Sequence, residues 1–509
     1  MNVHEVALHA TPVDRFAPVV GAQRVDGLRR VLGALRDALD GRRLWHVNST
    51  AAGGGVAEML HVLLGYERGA GIDVRWAVVG GDAAFFAITK RLHNRLHGHP
   101  GDGLPLGPAA HDHYQAITDA NAAALRARVR PGDVVVLHDP QTAGLASGLA
   151  AAGAQVVWRC HIGGDAPDDA LVGAGWDFLR GYLEPVDALV FSRTAHVPSW
   201  VNGLPTWIVP PCIDPFSPKN LHLEPAVVET VLARIGMIAG NGGQPPLRFR
   251  RSDGRAGEVG QPAEVVREGP PPPADVPLVV QVSRWDRLKD MAGVLRAFAD
   301  HAAELGAAHL ALVGPSAAGV GDDPEAQEVL GECVELWRRL PAATRRRVHL
   351  VSLPMDDLVE NAAMVNAVQR HATVLVQKSL AEGFGLTVTE GMWKARPMIA
   401  GRVGGIQDQI VHGASGLLVD DPRDLDAFAG ALAGVLASPA TAQYLGEGAR
   451  ARVIESFLGD RHLAQMARLV LGLLDAAAPA GSSPRPAAAW ADRDAAAHAE
   501  PHAGAPAAM

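Results

Sequence analysis

Short apolar strands alternate with helical stretches twice along this chain, and this repetition limits the possible folds more than any other feature. The apolar runs end near residue 210 and begin again at residue 278. Parallel strands that are buried on both faces have this pattern, with a helix joining each strand to the next. We therefore predict an α/β fold with two Rossmann-like, doubly wound sheets. The predicted strands are 44–47, 74–79, 134–137, 155–158, 188–191, 207–209, 278–282, 310–313, 348–351, 374–376 and 398–400.

The chain of 509 residues is too long for a single core. We expect an N-terminal domain over 1–215, a connecting segment over 216–275 and a C-terminal domain over 276–475, whose last helix crosses back to the first domain. Residues 236–275 are rich in Gly, Pro and Arg, so we expect a helix followed by a mobile, unpacked insertion. The Ala- and Pro-rich tail 476–509 is expected to be disordered.

Composition excludes several classes of partner. A net charge of −9 and a pI near 6.2 argue against nucleic acid. The three cysteines, Cys160, Cys212 and Cys333, are scattered and odd in number, which favours a reducing compartment. No apolar run has the length of an export signal or a membrane span. These observations predict a soluble, cytoplasmic enzyme with small-molecule substrates, and a homodimer is compatible with them.

The segment from Glu382 to Glu390 indicates a binding site for a sugar attached to a phosphate. Its two carboxylates flank a turn with Gly383 and Gly385, at which the backbone can approach a ligand closely. A helix beginning just after this turn would direct its first N–H groups at a phosphate. A structural alternative is that Thr387 and Glu390 form a capping box.

Polar residues follow the predicted strands of the first sheet. Open α/β sheets bind ligands at the carboxyl ends of their strands. A glycine loop containing Gly54 and Gly55 follows the first predicted strand. It suits a phosphate or a sugar hydroxyl, although a plain strand-to-helix turn is an alternative, and it lacks the G-x-G-x-x-G spacing of dinucleotide sites. The residues His138, Asp139, Gln141, His161 and Asp165 follow the strands 134–137 and 155–158.

Arg284 and Lys289 follow the first predicted strand of the second sheet. A guanidinium fork and a compact ammonium group together suit a diphosphate. Surface salt bridges with Asp286 or Asp290 are the structural alternative.

The sequence gives little support for a metal site. Residues 93, 97 and 99, and residues 111 and 113, are histidines with ligand-like spacing, but no nearby Cys or acidic set completes a site. The two D-x-D spellings, at 424–426 and 492–494, lie at a predicted helix start and in the tail. We therefore expect neither a metal nor another cofactor.

Taken together, these motifs resemble the retaining GT-B glycosyltransferases of family four. Within that family, the chain is most similar to the trehalose glycosyltransferring synthases and the related trehalose phosphorylases, from about Trp45 to Leu474. The insertion and the tail depart from the pattern. The segments that carry the resemblance are 46–58, 85–90, 93–94, 158–161, Arg284 with Lys289, 322–325, 382–394, 404–406 and 416–419.

The resemblance implies two domains facing a central cleft and metal-free transfer of glucose from a nucleoside diphosphate glucose to free glucose, which gives α,α-trehalose. It implies that Glu390 binds the ribose, Glu382 the glucose hydroxyls, and that His161 contacts the transferred sugar. Asp139, Gln141 and Asp165 are our candidates for the acceptor site. The expected catalytic residues are His161, Glu382, Arg284 and Lys289, and the expected nucleotide-sugar site is Gly54, Gly55, Arg284, Lys289, Glu382, Gly383, Phe384, Gly385, Leu386, Thr387 and Glu390.

Two alternatives remain open on the sequence. A trehalose phosphorylase would use inorganic phosphate in place of the nucleoside diphosphate, and a non-catalytic protein would only sense a nucleotide sugar. Gly385 favours the synthase because a small residue leaves room for a diphosphate. The presence of His161 and Glu382 argues against the sensor.

Overall fold

The computed structural model describes residues 3–51, 54–166, 169–201, 203–240, 247–251, 255–316 and 324–476. Within these ranges the chain forms two seven-stranded sheets and one two-stranded sheet. Each large sheet is parallel except for one antiparallel edge strand. The prediction of two doubly wound sheets is confirmed. The predicted disordered tail lies, from residue 477 on, outside the described residues.

The first sheet has its topological switch point next to its first long strand. Its order is β1-β3-β2-β4-β5-β6-β7, so consecutive strands are added on opposite sides of β2. Ligands bind at such switch points, beyond the carboxyl ends of the strands. The strands are β1 (His4–Glu5), β2 (Leu44–Asn48), β3 (Val74–Val78), β4 (Val134–His138), β5 (Gln155–Cys160), β6 (Ala188–Phe191) and β7 (Thr206–Ile208).

The second sheet repeats this plan with the order β10-β13-β12-β11-β14-β15-β16. Its switch point lies between β11 and β14, which are neighbours in the sheet. The strands of this half are β8 (Arg248–Arg250), β9 (Ala256–Glu258), β10 (Glu264–Val266), β11 (Leu278–Val282), β12 (His309–Pro315), β13 (Val348–Leu353), β14 (Val374–Gln377), β15 (Met398–Gly401) and β16 (Leu417–Val419).

Helices cover both faces of each sheet, because alternate residues of every strand point to opposite sides. In β4, Val135 and Leu137 belong to one buried cluster, whereas Val134 and Val136 belong to the other. The helices are α1 (Ala17–Val20), α2 (Ala22–Leu39), α3 (Gly55–Gly69), α4 (Ala83–Leu96), α5 (Pro108–Arg126), α6 (Ala146–Ala151), α7 (Ala170–Leu183), α8 (Pro225–Arg234), α9 (Met291–Asp300), α10 (Pro324–Arg339), α11 (Ala342–Arg345), α12 (Leu358–His371), α13 (Leu386–Trp393), α14 (Ile406–Gln409), α15 (Leu425–Ala437), α16 (Pro439–Ser456) and α17 (Gly459–Ala476).

Among the described helices, none is by itself long and apolar enough to span a membrane. The pair α15 and α16 passes that test of length and composition only when the two helices are taken together, across a bend of 104°.

The chain passes between the two halves at two adjacent places. The Ile213 amide donates to the Phe457 carbonyl at 3.0 Å, and the Gly459 amide donates to the Ile213 carbonyl at 3.2 Å. The last helix, α17, then packs against α2 of the first half. Arg24 of α2 also forms an ion pair with the buried Asp460 of α17. The C-terminal helix is therefore part of the first half's core.

The described part of the 236–275 segment is ordered and packed, contrary to our expectation of an unpacked insertion. β8 and β9 form a hairpin, and β10 pairs with β13 at the edge of the second sheet. Val259 is completely buried. The carboxylate of Glu360 accepts hydrogen bonds from the Gly260 and Gln261 amides at 2.8 and 2.9 Å. A few apolar residues suffice here because they pack onto an existing core, and a buried acceptor satisfies the loop backbone.

We predict that Val259→Ala destabilises the second half by about 2 kcal/mol, because it removes two buried methyl groups and leaves a cavity. Chemical denaturation monitored by tryptophan fluorescence measures this change. Glu258→Ala is the matched control, since Glu258 is the exposed neighbour on the same hairpin. Equal stability of the two variants would show that this segment does not pack.

Candidate active site

The carboxyl edges of the two sheets face each other across a cleft. A Cβ on Gly55, the first residue of α3, would lie 2.7 Å from Cδ1 of Leu386, the first residue of α13. A Cβ on Gly383 would lie 3.4 Å from the carbonyl oxygen of His161. Residues of the two sheets that are distant in sequence thus lie close together across the cleft.

The turn before α13 requires a glycine. Gly385 is the N-cap residue, with φ 85° and ψ 62° in the left-handed region, and no side chain caps the helix. Because no side chain caps α13, the first N–H groups of this helix can bind an anion. The capping-box alternative is wrong, because Thr387 lies within the helix and its hydroxyl is 3.4 Å from the Gln377 side-chain oxygen.

A close backbone approach fixes the position of Glu382. Gly404 has φ 48°, and a Cβ at this residue would lie 1.6 Å from the Glu382 carbonyl oxygen. The Gly405 amide donates to the Gly383 carbonyl at 3.0 Å. The Phe384 ring is buried in the hydrophobic core, so this residue offers only its backbone to the cleft.

Lys289 and Glu382 form an ion pair at the bottom of the cleft. Lys289 Nζ lies 2.6 Å from Glu382 Oε2, and the Ser379 hydroxyl donates to the same oxygen at 3.3 Å. The two charged side chains are only 15% and 12% exposed. Separating a cation and a carboxylate held together with little water is costly unless each gains a new partner.

Arg284 is on the surface of the cleft rather than inside it. Its side chain is 58% exposed and forms a salt bridge of 3.0 Å with Asp286, which is the structural alternative named above. Its charge still reaches across to α4. The pKa of His93 on that helix is lowered well below its usual value, mainly by burial, with smaller contributions that include Arg284 and Lys289.

Asp139 supports the loop that carries His161. Asp139 has φ 64°, and its Oδ1 accepts a hydrogen bond of 2.7 Å from the His161 amide. Burial raises the pKa of Asp139 to about 7, against the opposing effects of the His161 amide and Arg159. In this structure the carboxylate therefore binds protein backbone. Gln141, the next acceptor candidate, is half-buried two residues further on.

Asp165 links the two halves of the molecule. Its carboxylate pairs with Arg193 of the first half and accepts hydrogen bonds from the Gly404 amide at 2.9 Å and the Gln407 side chain at 3.1 Å. Arg193 also pairs with Asp408 of the second half, at 2.7 Å. The carboxylate that we assigned to a free sugar is thus engaged in an interdomain bridge.

His97 is a cleft residue that sequence reasoning missed. Its Nδ1 donates to the Gly163 carbonyl at 3.0 Å, and a Cβ on Gly383 would lie 3.2 Å from its Cε1. Burial lowers the pKa of His97 to about 4, so the ring is neutral. The only signal in the sequence was its spacing from His93 on one helical face, which we considered as a metal pattern.

Glu390 lies at a second, separate part of the cleft. Lys219 Nζ is 3.5 Å from Glu390 Oε1 and 2.8 Å from Glu58 Oε2, so it joins the two halves. Burial raises the pKa of Glu390, and the charges of Lys219 and Lys394 oppose this shift. The adjoining cavity has about 460 Å³ of empty space and is open to solvent. Its lining includes Gly55, Glu58, Met59, Asp214, Lys219, Leu386 and Glu390.

Within the described ranges, no three His, Cys, Asp or Glu residues are arranged to hold a metal ion. Asp424 of the first D-x-D spelling caps α15 by accepting from the Ala427 amide at 2.8 Å. The second D-x-D spelling lies outside the described residues.

Comparison with known proteins first defines the class. A trehalose 6-phosphate synthase structure from Burkholderia multivorans aligns with a TM-score of 0.62 and 17% identity, covering 86% of this chain and 98% of that one. This likeness shows the GT-B fold, with two Rossmann-like domains facing a cleft. The family model for glycosyl transferases group 1 matches residues 358–452. The chain is therefore a GT-B glycosyltransferase.

The chain belongs to the trehalose synthase family. The model for the N-terminal domain of trehalose synthase matches residues 46–198. A trehalose synthase from Rubrobacter xylanophilus is 34% identical over 90% of this chain and 96% of its own length. A trehalose phosphorylase from Pleurotus sajor-caju is more distant, at 26% identity over 82% of this chain and 56% of its own length. The family resemblance inferred from the motifs is confirmed.

We predict that Gly404→Ala lowers the rate of glycosyl transfer roughly 10²-fold, because the new methyl group must displace Glu382 and the turn before α13. Gly413→Ala is the matched control: Gly413 has φ 78° with no atom within 4 Å of an added Cβ, so it introduces backbone strain without the collision. Rates and melting temperatures of both variants test this. A similar loss of rate in the two variants would remove the Gly404 contact from the site.

Proposed function

We propose that this chain transfers glucose from a nucleoside diphosphate glucose to free glucose, with retention of configuration, and so forms α,α-trehalose reversibly. The observation that carries the proposal is the Lys289–Glu382 ion pair of 2.6 Å between the start of α13 and the His161 loop. It brings together a cation for the leaving diphosphate and a carboxylate for the sugar. The name of the trehalose synthase relative supplies the product.

The diphosphate binds at the start of α13. Negative charge grows on it as the bond to the sugar breaks, so cations and amides at this place stabilise the transition state more than the ground state. Arg284 turns inward from Asp286, which costs little because exposed ion pairs are weak. These groups do the work that a metal ion does elsewhere, and the proposal includes no cofactor. The proposed contacts are Arg284, Lys289 and the amides of Gly385, Leu386 and Thr387.

The transferred glucose lies between the turn and His161. When Lys289 turns to the phosphate, Glu382 accepts hydrogen bonds from the glucose hydroxyls in its place. The backbone of Gly383 and Phe384 closes one side of the sugar, and His161 closes the other near the reacting carbon. Burial lowers the pKa of His161 well below its usual value, so the ring acts as a neutral hydrogen-bonding group.

The nucleoside binds beside Glu390. The ribose hydroxyls donate to this carboxylate, which exchanges its ion pair with Lys219 for them. The cavity next to Glu390 is open to solvent and is lined by residues of both halves, so a nucleoside can enter it from outside. The loop of Gly54 and Gly55 forms its edge on the first half.

The acceptor glucose binds on the side of the first sheet. Asp139, Gln141 and Asp165 remain our candidates, with the condition that Asp165 gives up part of its interdomain bridge. Attack on the face from which the diphosphate leaves gives the α,α linkage. We do not expect hydrolysis, because no second carboxylate is proposed to flank the bond as in glycosidases.

A trehalose phosphorylase is the second candidate, and it is less favoured. The small size of Gly385 was our argument for a diphosphate. The left-handed φ of 85° gives this glycine a structural reason as well, so the choice between synthase and phosphorylase now depends on the identity levels of the two relatives.

We also propose a cytoplasmic location, which the three buried, unpaired cysteines support, with small-molecule partners only. A homodimer remains an expectation.

We predict that Arg284→Ala and Lys289→Ala each lower kcat by roughly 10² or more, because each removes positive charge from the departing diphosphate. Arg287→Ala is the matched control, since Arg287 lies in the same loop but pairs with Glu328 and Glu332 on α10. Kinetics at saturating donor, together with melting temperatures, measure the effect. Unchanged kcat in Arg284→Ala or Lys289→Ala would exclude that residue from the site.

We predict that glucose is the preferred acceptor, that glucose 6-phosphate is a poor one, and that the product is the non-reducing α,α disaccharide. A site that hydrogen-bonds sugar hydroxyls is left with unpaired groups when an altered sugar enters. NMR of the products from ADP-glucose and glucose checks this. In the reverse direction, trehalose with ADP should give ADP-glucose, whereas glucose 1-phosphate formed from trehalose and phosphate would identify a phosphorylase. A reducing disaccharide would overturn the proposal.

A further inference from the structure

Three histidines form a continuous chain behind the proposed sugar site. His46 Nδ1 lies 3.0 Å from His138 Nε2, and His138 Nδ1 lies 2.9 Å from His161 Nε2. The rings stack in sequence, with centroids 5.2 Å apart at both steps. They come from β2, β4 and the end of β5, which are neighbouring strands at the switch point. The fold therefore aligns them toward the cleft.

Glu67 of α3 lies at the inner end of this chain. Its Oε2 is 3.9 Å from His46 Nε2, and both atoms are buried without a hydrogen-bond partner in the described part of the chain. This distance exceeds that of a hydrogen bond, so coupling between the two groups requires the side chains to approach each other further. We call Glu67, His46, His138 and His161 the relay.

Burial holds all three imidazoles neutral. It lowers the pKa of His46 to about 3, and it lowers the pKa values of His138 and His161 well below their usual range, with further effects of Arg159, His462 and the neighbouring histidines. Arg159 on β5, His462 on α17 and Asp139, whose carboxylate accepts from the His161 amide, are charged or titratable groups next to the relay. A neutral imidazole has one N–H and one lone pair. Each N···N contact needs one of each, so the three rings must all orient the same way.

The relay thus has two states. If Glu67 is protonated, it donates to His46 Nε2, each ring donates onward, and His161 is left with an N–H at Nδ1. If Glu67 is ionised, it accepts from His46 Nε2, every ring reverses, and His161 is left with a lone pair at Nδ1. The state at the buried carboxyl determines whether the histidine at the sugar site donates or accepts a hydrogen bond there.

We propose that Glu67, His46 and His138 are positioning residues that set which hydrogen-bonding form His161 presents to the transferred glucose. This proposal rests on the proposed function for the role of His161. Burial raises the pKa of Glu67 to about 8, so the donating form predominates at neutral pH and the accepting form above about pH 8. Transfer that needs the donor must slow as the pH rises through this value.

The relay is tested first in the unmodified protein without substrate. NMR of protein labelled with ¹⁵N at histidine distinguishes protonated from unprotonated ring nitrogens. Between about pH 6 and pH 10, the proton of His161 should move from Nδ1 to Nε2 with a midpoint near the Glu67 value of about 8. A His161 tautomer that stays constant over this range would overturn the proposal, whatever reaction the protein catalyses.

Two variants then connect the relay to catalysis. Glu67→Gln keeps a neutral donor of the same shape, so it should retain kcat within about twofold at neutral pH. The same variant should lose the fall in kcat at alkaline pH. Asp139, whose pKa is about 7, still titrates in this variant. His46→Phe breaks the relay and should lower kcat about tenfold at neutral pH, as expected when a histidine loses the partner that orients it. A fall in kcat with its midpoint near the Glu67 value of about 8 that persists unchanged in Glu67→Gln would contradict the proposal. If the tautomer switch occurs but no trehalose is formed, the relay stands and the proposed function fails.

Discussion

The backbone pairing of Ile213 with the segment from Phe457 to Gly459 is the contact on which the geometry of the cleft depends. Both connections between the two halves run side by side here, with hydrogen bonds of 3.0 and 3.2 Å. Two adjacent crossings act as one narrow hinge, and hinge positions of this kind absorb the rotation when domains close. After the chain crosses back to the first half at Phe457 to Gly459, α17 packs on α2. This crossing is therefore fixed in the core of the first half as well as in that of the second. The carboxyl edges of the two sheets are therefore held face to face.

The contacts across the cleft differ in strength from those behind it. The carboxylates of Asp165 and Asp408 that bridge the halves through Arg193 are 42% and 44% exposed, whereas the Arg193 side chain that they share is only 10% exposed. The His46–His138 pair on the first half is instead fully enclosed, so moving it would leave buried polar groups unsatisfied. We infer that the bridge, with its two partly exposed carboxylates, rearranges more easily than the enclosed histidine pair, provided that the Arg193 guanidinium keeps a partner.

The local features of this fold were predictable from sequence, and the partnerships between distant residues were not. The strand bounds of β6 and β11 agree with the apolar runs, because burial on both faces leaves a continuous signal. Gly385 was identified because a left-handed turn has a strong local preference for glycine. Asp139 and Asp165 were predicted as ligands for a sugar, and nothing nearby in sequence shows that one also binds the His161 amide and the other Arg193. The packing of β10 was missed for a related reason, because its core belongs to β13.

The balance of charge in the cleft explains why hydrogen-bond direction matters on the histidine side. Lys289 and Glu382 neutralise each other in this structure, and a nucleoside diphosphate adds negative charge. Burial keeps His97 and His161 neutral, so neither imidazole supplies a compensating cation. In the proposed site, the positive charge comes from Arg284, from Lys289 once it leaves its partner, and from the amides at the start of α13. In this proposal, the histidines contribute only through the orientation of an N–H or a lone pair toward a sugar oxygen. In a site with little water, a reversed hydrogen bond is costly because it places two donors or two acceptors against each other. A residue that fixes this orientation from behind the sheet therefore affects the reaction without touching the substrate.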